Sequence, residues 1–275
     1  MPPGYIIKKS AKKSLSDKWP AAIAIGIIIF AVLCVHIIIM ELIAMLFGRL
    51  GETTAALLSL AIVIVLGQFF AVPVLYGALR WFWYTSSGAD VPVSEMFCYF
   101  SRGREYAKAI SLGFRIFTRI LGILLLCFLP SIIVSFAGKP ITYQVFNFKM
   151  PYWASSMWAL GNVLNFFGGV LSFILLLRYI AAPILIINDN SVSPQEALHL
   201  SVIITKSVNG QTISFIVGFV GWFFLSFLVL PLIYTIPYFL CSYAIYCRNL
   251  INNYNNMVKE QNNKHIYTTS SPSEF

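Results

Sequence analysis

The chain has 275 residues, of which 59% are hydrophobic, 16% aromatic and only 11% charged. A soluble domain carries about 25% charged side chains, so this composition excludes a water-exposed globule. The net charge of +9 arises from 19 Lys and Arg placed beside apolar runs; they are not gathered on one soluble face, and no nucleic-acid partner is expected.

Residues 1–18 form a basic segment in which Ile7, Ala11 and Leu15, followed by Trp19, recur every fourth residue with lysines between them. That spacing predicts an amphipathic helix lying on the cytoplasmic membrane surface, where anionic lipid would attract it. The plainer reading is that the lysines only fix orientation. The apolar run that follows is too long for a signal peptide and is read as an uncleaved first span.

Helices at about 1.5 Å per residue need roughly 20 apolar residues to cross a membrane. The first four expected spans are 21–47, 55–80, 109–137 and 158–187, the second ending on Arg80, Trp81, Trp83 and Tyr84 as a boundary girdle. Ser207 to Cys247 is 41 residues without a charge, about twice what one crossing needs. A hairpin at Pro231 and Pro237 then gives a fifth span at 211–230 and a sixth at 232–248. The expected fold is therefore an all-α polytopic transmembrane helix bundle of six spans, with five as the alternative.

Lys and Arg favour cytoplasmic loops, and the six-span reading puts sixteen of the 19 inside, leaving Arg49, Lys139 and Lys149 outside. Five spans would move Arg248, Lys259 and Lys264 outward and weaken the bias. Both termini are expected in the cytoplasm.

Short interfacial helices are also expected in two cytoplasmic loops. Asp90 to Phe100 includes Ser94 as an N-cap, with Met96, Phe97, Tyr99 and Phe100 following. Ser193-Pro194-Gln195-Glu196 is a capping box with proline at the first helical position. Its helix is expected to reach about Val208 and to stop at Asn209-Gly210. The shared plan of the two loops raises a parallel internal repeat. The Asn-rich cytoplasmic tail, 249–275, is polar enough to be disordered beyond about Lys259.

The stretches AKKSLSDKW (Ala11–Trp19), PVLYGALRWFW (Pro73–Trp83), ILIINDNSVSPQEALHLS (Ile184–Ser201) and GWFFLSFLVLPLIYTIPY (Gly221–Tyr238) fall in the order seen in a bacterial membrane-protein family. From about Ile7 to Arg248 the chain resembles the family numbered nine hundred and seventy-five among the domains of unknown function. The resemblance implies a prokaryotic cell-membrane protein and supplies no activity. Between about Ser135 and Trp158 the outer segment looks longer than is usual there.

The sequence contains no G-x-x-x-x-G-K, G-x-S-x-G or H-E-x-x-H motif and no metal-spaced Cys and His cluster. The five cysteines (Cys34, Cys98, Cys127, Cys241, Cys247) have no C-x-x-C pair and read as small buried hydrophobes. No enzyme activity, cofactor or metal is expected.

Polar groups inside spans are the better lead, because hydrocarbon makes them costly. Counting about 1.5 Å per residue from the cytoplasmic end, Arg178 lies roughly 14 Å deep, Gln68 about 18 Å, His36 about 24 Å and Glu41 about 31 Å. Glu41 then belongs near Arg49 at the outer boundary, while His36, Gln68 and Arg178 are candidates for one intramembrane polar layer. The bland alternative is that Arg178 snorkels and His36 only packs. In the fourth span Gly161, Asn165, Gly169 and Ser172 make a candidate helix-packing stripe. An accessory or structural membrane component, with lipids or other membrane proteins as partners, fits these features best. A small permease or lipid-handling carrier is the alternative, and a lipid head-group enzyme comes third.

Overall fold

The computed structural model describes residues 2–47, 52–137, 152–206, 208–226 and 230–269, and every regular element among them is helical. Helix α1 (Gly4–Ser14) leads into α2 (Trp19–Phe47), which pairs with α3 (Glu52–Phe69) as a first hairpin. After α4 (Ala71–Thr85) come a 3-10 turn (Val93–Phe97) and α5 (Cys98–Ser101). A second hairpin pairs α6 (Gly103–Ala137) with α7 (Tyr152–Leu176), and α8 (Ala182–Asn188) and α9 (Pro194–Lys206) follow it. The chain closes with α10 (Asn209–Val217), α11 (Val220–Leu225) and α12 (Leu230–Thr269). The latter runs antiparallel to α10 and α11, since Thr212 bonds Tyr246 while Trp222 meets Tyr234.

Two of the breaks precede prolines. Pro73 has no N–H to give the carbonyl of Phe69, four residues back. The chain bends at Phe70, and the freed Phe69 carbonyl accepts the Tyr106 hydroxyl at 2.9 Å. A second interruption, the 3-10 turn Leu177–Tyr179, precedes Pro183. There the Arg178 carbonyl accepts from Ser201 at 2.8 Å and Thr205 at 3.2 Å, and the Ile180 carbonyl accepts from the Tyr243 hydroxyl.

Burial is uneven along the long helices. The core gathers the first turns of α2, most of α4 and α8, one face each of α1 and α9, and α12 from Tyr238 to Ile251. Trp81, Phe82 and Met96 are wholly enclosed within it. The far parts of both hairpins instead expose large apolar side chains, among them Leu42, Met45, Leu57, Leu126, Ile133, Phe166 and Phe167.

Four stretches are long and apolar enough to cross a membrane: Trp19–Phe47, Ala56–Thr85, Gly103–Val134 and Ala159–Asn188. Helix α9 together with α10 and α11 makes a fifth only as one span bent by 90°. Of the six expected crossings, these four agree in place. The expected fifth, 211–230, is interrupted at Gly218–Phe219, and the expected sixth, 232–248, is the first part of α12. Pro231 and Pro237 do not form a turn between two spans, because both lie inside α12 and the preceding helix stops at Leu225.

Other local expectations also change. The apolar face of α1 is buried against protein: Ile7, Ala11 and Leu15 pack in the core, the Ala11 carbonyl lies 3.8 Å from Cys241 Sγ of α12, and Lys9, Lys12 and Lys13 are exposed. Ser94 sits inside the 3-10 turn, whose cap is Pro92 without a side-chain bond. Asn209-Gly210 opens α10 where a helix end was expected, and α12 continues through the Asn-rich segment to Thr269. The capping box is as read: Ser193 N–H donates to Glu196 at 2.8 Å and the Glu196 N–H to Ser193 Oγ at 3.3 Å. Arg49 and residues 138–151, which hold most of the longer outer segment, lie outside the described residues.

Gly77 of α4 is the tightest contact in the core, for a Cβ there would lie 1.7 Å from the Met96 carbonyl oxygen. Gly77→Ala must separate α4 from the 3-10 turn, whereas Gly122→Ala enters open space. Thermal unfolding in detergent is expected to fall sharply for the first and to stay level or rise for the second, because alanine is the better helix former.

Candidate functional site: a charged hub and an interfacial groove

Arg80 projects from α4 into the space beneath α5 and α6 and is 8% exposed. A guanidinium so placed needs partners on every side, since an unpaired buried charge is strongly destabilising. Its Nη1 donates to Glu105 Oε2 at 3.0 Å, and its Nε lies 3.2 Å from Glu95 Oε1, an ion pair off the hydrogen-bond direction. Arg102 flanks both carboxylates, at 3.8 Å from Glu95 and 3.5 Å from Glu105. Glu105 Oε1 accepts Asn190 Nδ2 at 3.1 Å, and Lys108 donates to the Asn190 carbonyl. The α4 helix, the 3-10 turn, the start of α6 and the loop after α8 thus meet in one hub.

Two further cations clamp the loop after α4. Arg248 Nη2 donates to the Trp83 carbonyl at 2.6 Å and to Ser87 Oγ at 2.5 Å, with its guanidinium 4.3 Å above the Trp83 ring. Lys18 pairs with Asp90 at 3.0 Å. Beside the hub, burial pushes the Cys98 thiol up to about 11, against the pull of Arg80.

Sequence reasoning missed this hub. Glu95 and Glu105 are ordinary loop acids by spacing, and Arg80 reads as a boundary cation. Only the fold at Gly77 and Phe70 brings them together.

The three residues assigned to a polar layer do not bond one another. His36 Nδ1 donates to Val32 O at 2.7 Å, leaving Nε2 a bare acceptor beside Gly67 of α3. Gln68 Oε1 faces Gly113 of α6, and Arg178 lies in the 3-10 turn under α9. His36 Nε2, Gln68 Oε1 and Arg178 Nε are each buried without a hydrogen bond, so none bonds another.

Along α7, Gly161 and Ser172 are buried, and Asn165 Oδ1 accepts Ser131 Oγ of α6 at 2.5 Å. The close approach falls at Gly168, where a Cβ would lie 2.6 Å from the Cys127 carbonyl; Gly169 faces open space and its carbonyl accepts Ser172 Oγ. The seam therefore reads Gly161, Asn165, Gly168 and Ser172, alternating steps of four and three as a helix pair requires.

A groove of about 970 Å³ opens between α6 and α9, lined by Arg119, Tyr179, Val192, Ser193, Gln195, Glu196, His199, Leu200 and Val202. Arg119 Nη1 donates to the Tyr179 hydroxyl at 3.3 Å, with the guanidinium 5.5 Å from that ring. Hydrogen bonds from the Ser193 backbone and its hydroxyl hold the Glu196 carboxyl below the usual carboxylate range. Among the described residues no group of three His, Cys, Asp or Glu is placed to hold a metal ion.

Hub, groove and apolar arms define an all-helical protein with helices fit to cross a membrane. The family model described as protein of unknown function (DUF975) matches residues 2–254, and the chain belongs to that family. No curated protein and no solved structure matches it.

Arg80→Gln is expected to lower stability by about 3 kcal/mol, the scale of breaking one partner from a buried ion pair, read as a fall in the melting midpoint in detergent. An unchanged melting point would show that the hub is not structural. On α7, Gly168→Ala is expected to destabilise and Gly169→Ala to be neutral, read by the same melting measurement.

Proposed function

We propose that the chain is a six-crossing integral protein of a bacterial cell membrane, with both termini in the cytoplasm. It acts as an accessory or structural component whose partners are lipids and other membrane proteins, and it is not an enzyme. The observation that carries this reading is the division of the molecule into a hub whose described acids are tied to arginines and arms that present bare apolar side chains. An acid-base catalyst needs a group free to change protonation, and Glu95 and Glu105 are engaged with Arg80 and Arg102.

The six crossings rest on the excess of Lys and Arg expected inside and on the antiparallel pairing of α10 and α11 with α12. Asn209–Leu225 has 17 residues, about 25 Å of helix, which reaches across most of the roughly 30 Å hydrocarbon layer. The exposed Lys9, Lys12 and Lys13 of α1 suit an anionic lipid surface.

The carrier reading draws on a different observation, the bare acceptors His36 Nε2 and Gln68 Oε1, which a donor-bearing solute would satisfy. The readings separate in vesicles. The structural role predicts that purified protein resists alkaline extraction, that a reporter fused after Phe275 stays cytoplasmic, and that solute leakage is the same for wild type and Gln68→Leu. Flux through the wild type that is lost in a normally inserted Gln68→Leu variant would establish the carrier instead.

A further inference from the structure

The groove between α6 and α9 joins two kinds of surface. Its polar wall carries one arginine, Arg119, and one glutamate, Glu196, with His199, Gln195 and Ser193 between or beside them. Its apolar lining is Val192, Leu200 and Val202, and Arg119 is the α6 residue that faces it. Three and seven residues beyond Arg119 on that helix are Gly122, whose missing Cβ leaves open space, and Leu126, which is 75% exposed. Residues at these spacings share one side of a helix. A cation therefore stands one turn before an open, exposed apolar strip on a helix fit to cross a membrane.

The charges are also held in place. Arg119 leans on the Tyr179 ring and hydroxyl and forms no ion pair with a carboxylate among the described residues. Glu196 is anchored by Ser193 through Oε2, and the residue lines the groove. Guanidinium suits a phosphodiester because it presents paired donors in a plane, and a carboxylate beside amide and hydroxyl acceptors suits a primary ammonium. A simple anion would meet Glu196 as a like charge.

We propose that this groove binds a zwitterionic phospholipid of the ethanolamine class. Arg119 takes the phosphate, Glu196 takes the ammonium with Gln195 and Ser193 beside it, and one acyl chain runs over Gly122 and Leu126. This rests on the membrane reading above, deepening it by naming the lipid class and the residues that select it.

The full chain in detergent is titrated with dioleoyl phosphatidylethanolamine, with dioleoyl phosphatidylglycerol or with inorganic phosphate, following the melting midpoint and lipid retention by native mass spectrometry. Phosphatidylethanolamine is expected to raise the midpoint and to be retained, with phosphatidylglycerol weaker and inorganic phosphate without effect. Arg119→Gln is expected to weaken the half-saturating concentration roughly tenfold, the scale of one lost charge-assisted contact. Arg119→Lys, which keeps the charge, is expected to retain part of the response and decides the matter should the glutamine variant fail to fold. Glu196→Gln, which preserves the capping box, is expected to reverse the preference towards phosphatidylglycerol. Equal responses to both lipids, a response to inorganic phosphate alone, or a preference unmoved by Glu196→Gln would overturn the site. Resistance to alkaline extraction, measured on the same preparation, reports separately on the membrane reading.

Discussion

Every interruption of a helix frees backbone groups, and neither hydrocarbon nor a packed core contains water to satisfy them. That constraint organises this molecule. The bend at Phe70 frees the Phe69 carbonyl, and the Tyr106 hydroxyl from α6 meets it. The turn at Leu177–Tyr179 frees carbonyls that Ser201, Thr205 and Tyr243 reach from α9 and α12. Each bend is thus tied to a helix distant in sequence, and the two long hairpins are fixed to a common base by the bonds that make their breaks tolerable.

The base must then accept what the bends deliver. Helix α4 packs so close to the 3-10 turn that only glycine fits at position 77, and Arg80, three residues on, is buried beside that turn. A buried guanidinium is stable only with carboxylates at hand, which Glu95 and Glu105 supply from two different segments. Charge and backbone bonding therefore act at the same joints. The surrounding aromatic packing, from Trp19 on Tyr234 to Phe215 on Tyr246, closes the base against α12.

Features set by local rules were legible in the sequence: uncharged length located four membrane-competent stretches, and the Ser193 and Glu196 box capped α9. Features that depend on which helix lies opposite were not. Glycine spacing placed a packing stripe on α7, yet whether Gly168 or Gly169 meets α6 depends on the rotation of the pair, and Cys127 settles it for Gly168. Depth counted along straight helices put Arg178 in a layer with Gln68 and His36, but such a count does not give partners, and His36 Nε2, Gln68 Oε1 and Arg178 Nε do not bond one another. Ile7, Ala11 and Leu15 had the right period for a bilayer surface, but the same period serves a protein surface, and α12 supplies one. The acids of the hub carry no motif at all, because their partnership exists only after Phe70 and Gly77 have bent and packed the chain.

The unequal burial has a consequence for how such a molecule works. The hub joins segments from Arg80 to Asn190 and resists rearrangement, since moving any one would strand a charge. The arms beyond it have no such restraint: Leu42 on α2, Leu126 on α6 and Phe166 on α7 face outward with the protein behind them. In a bilayer these surfaces exchange one apolar neighbour for another at little free-energy cost, because lipid tails and leucine side chains are equally apolar. Arg119, Tyr179 and Glu196 line the groove beside α9, and under the phospholipid binding proposed above they would supply the discrimination that apolar arms cannot.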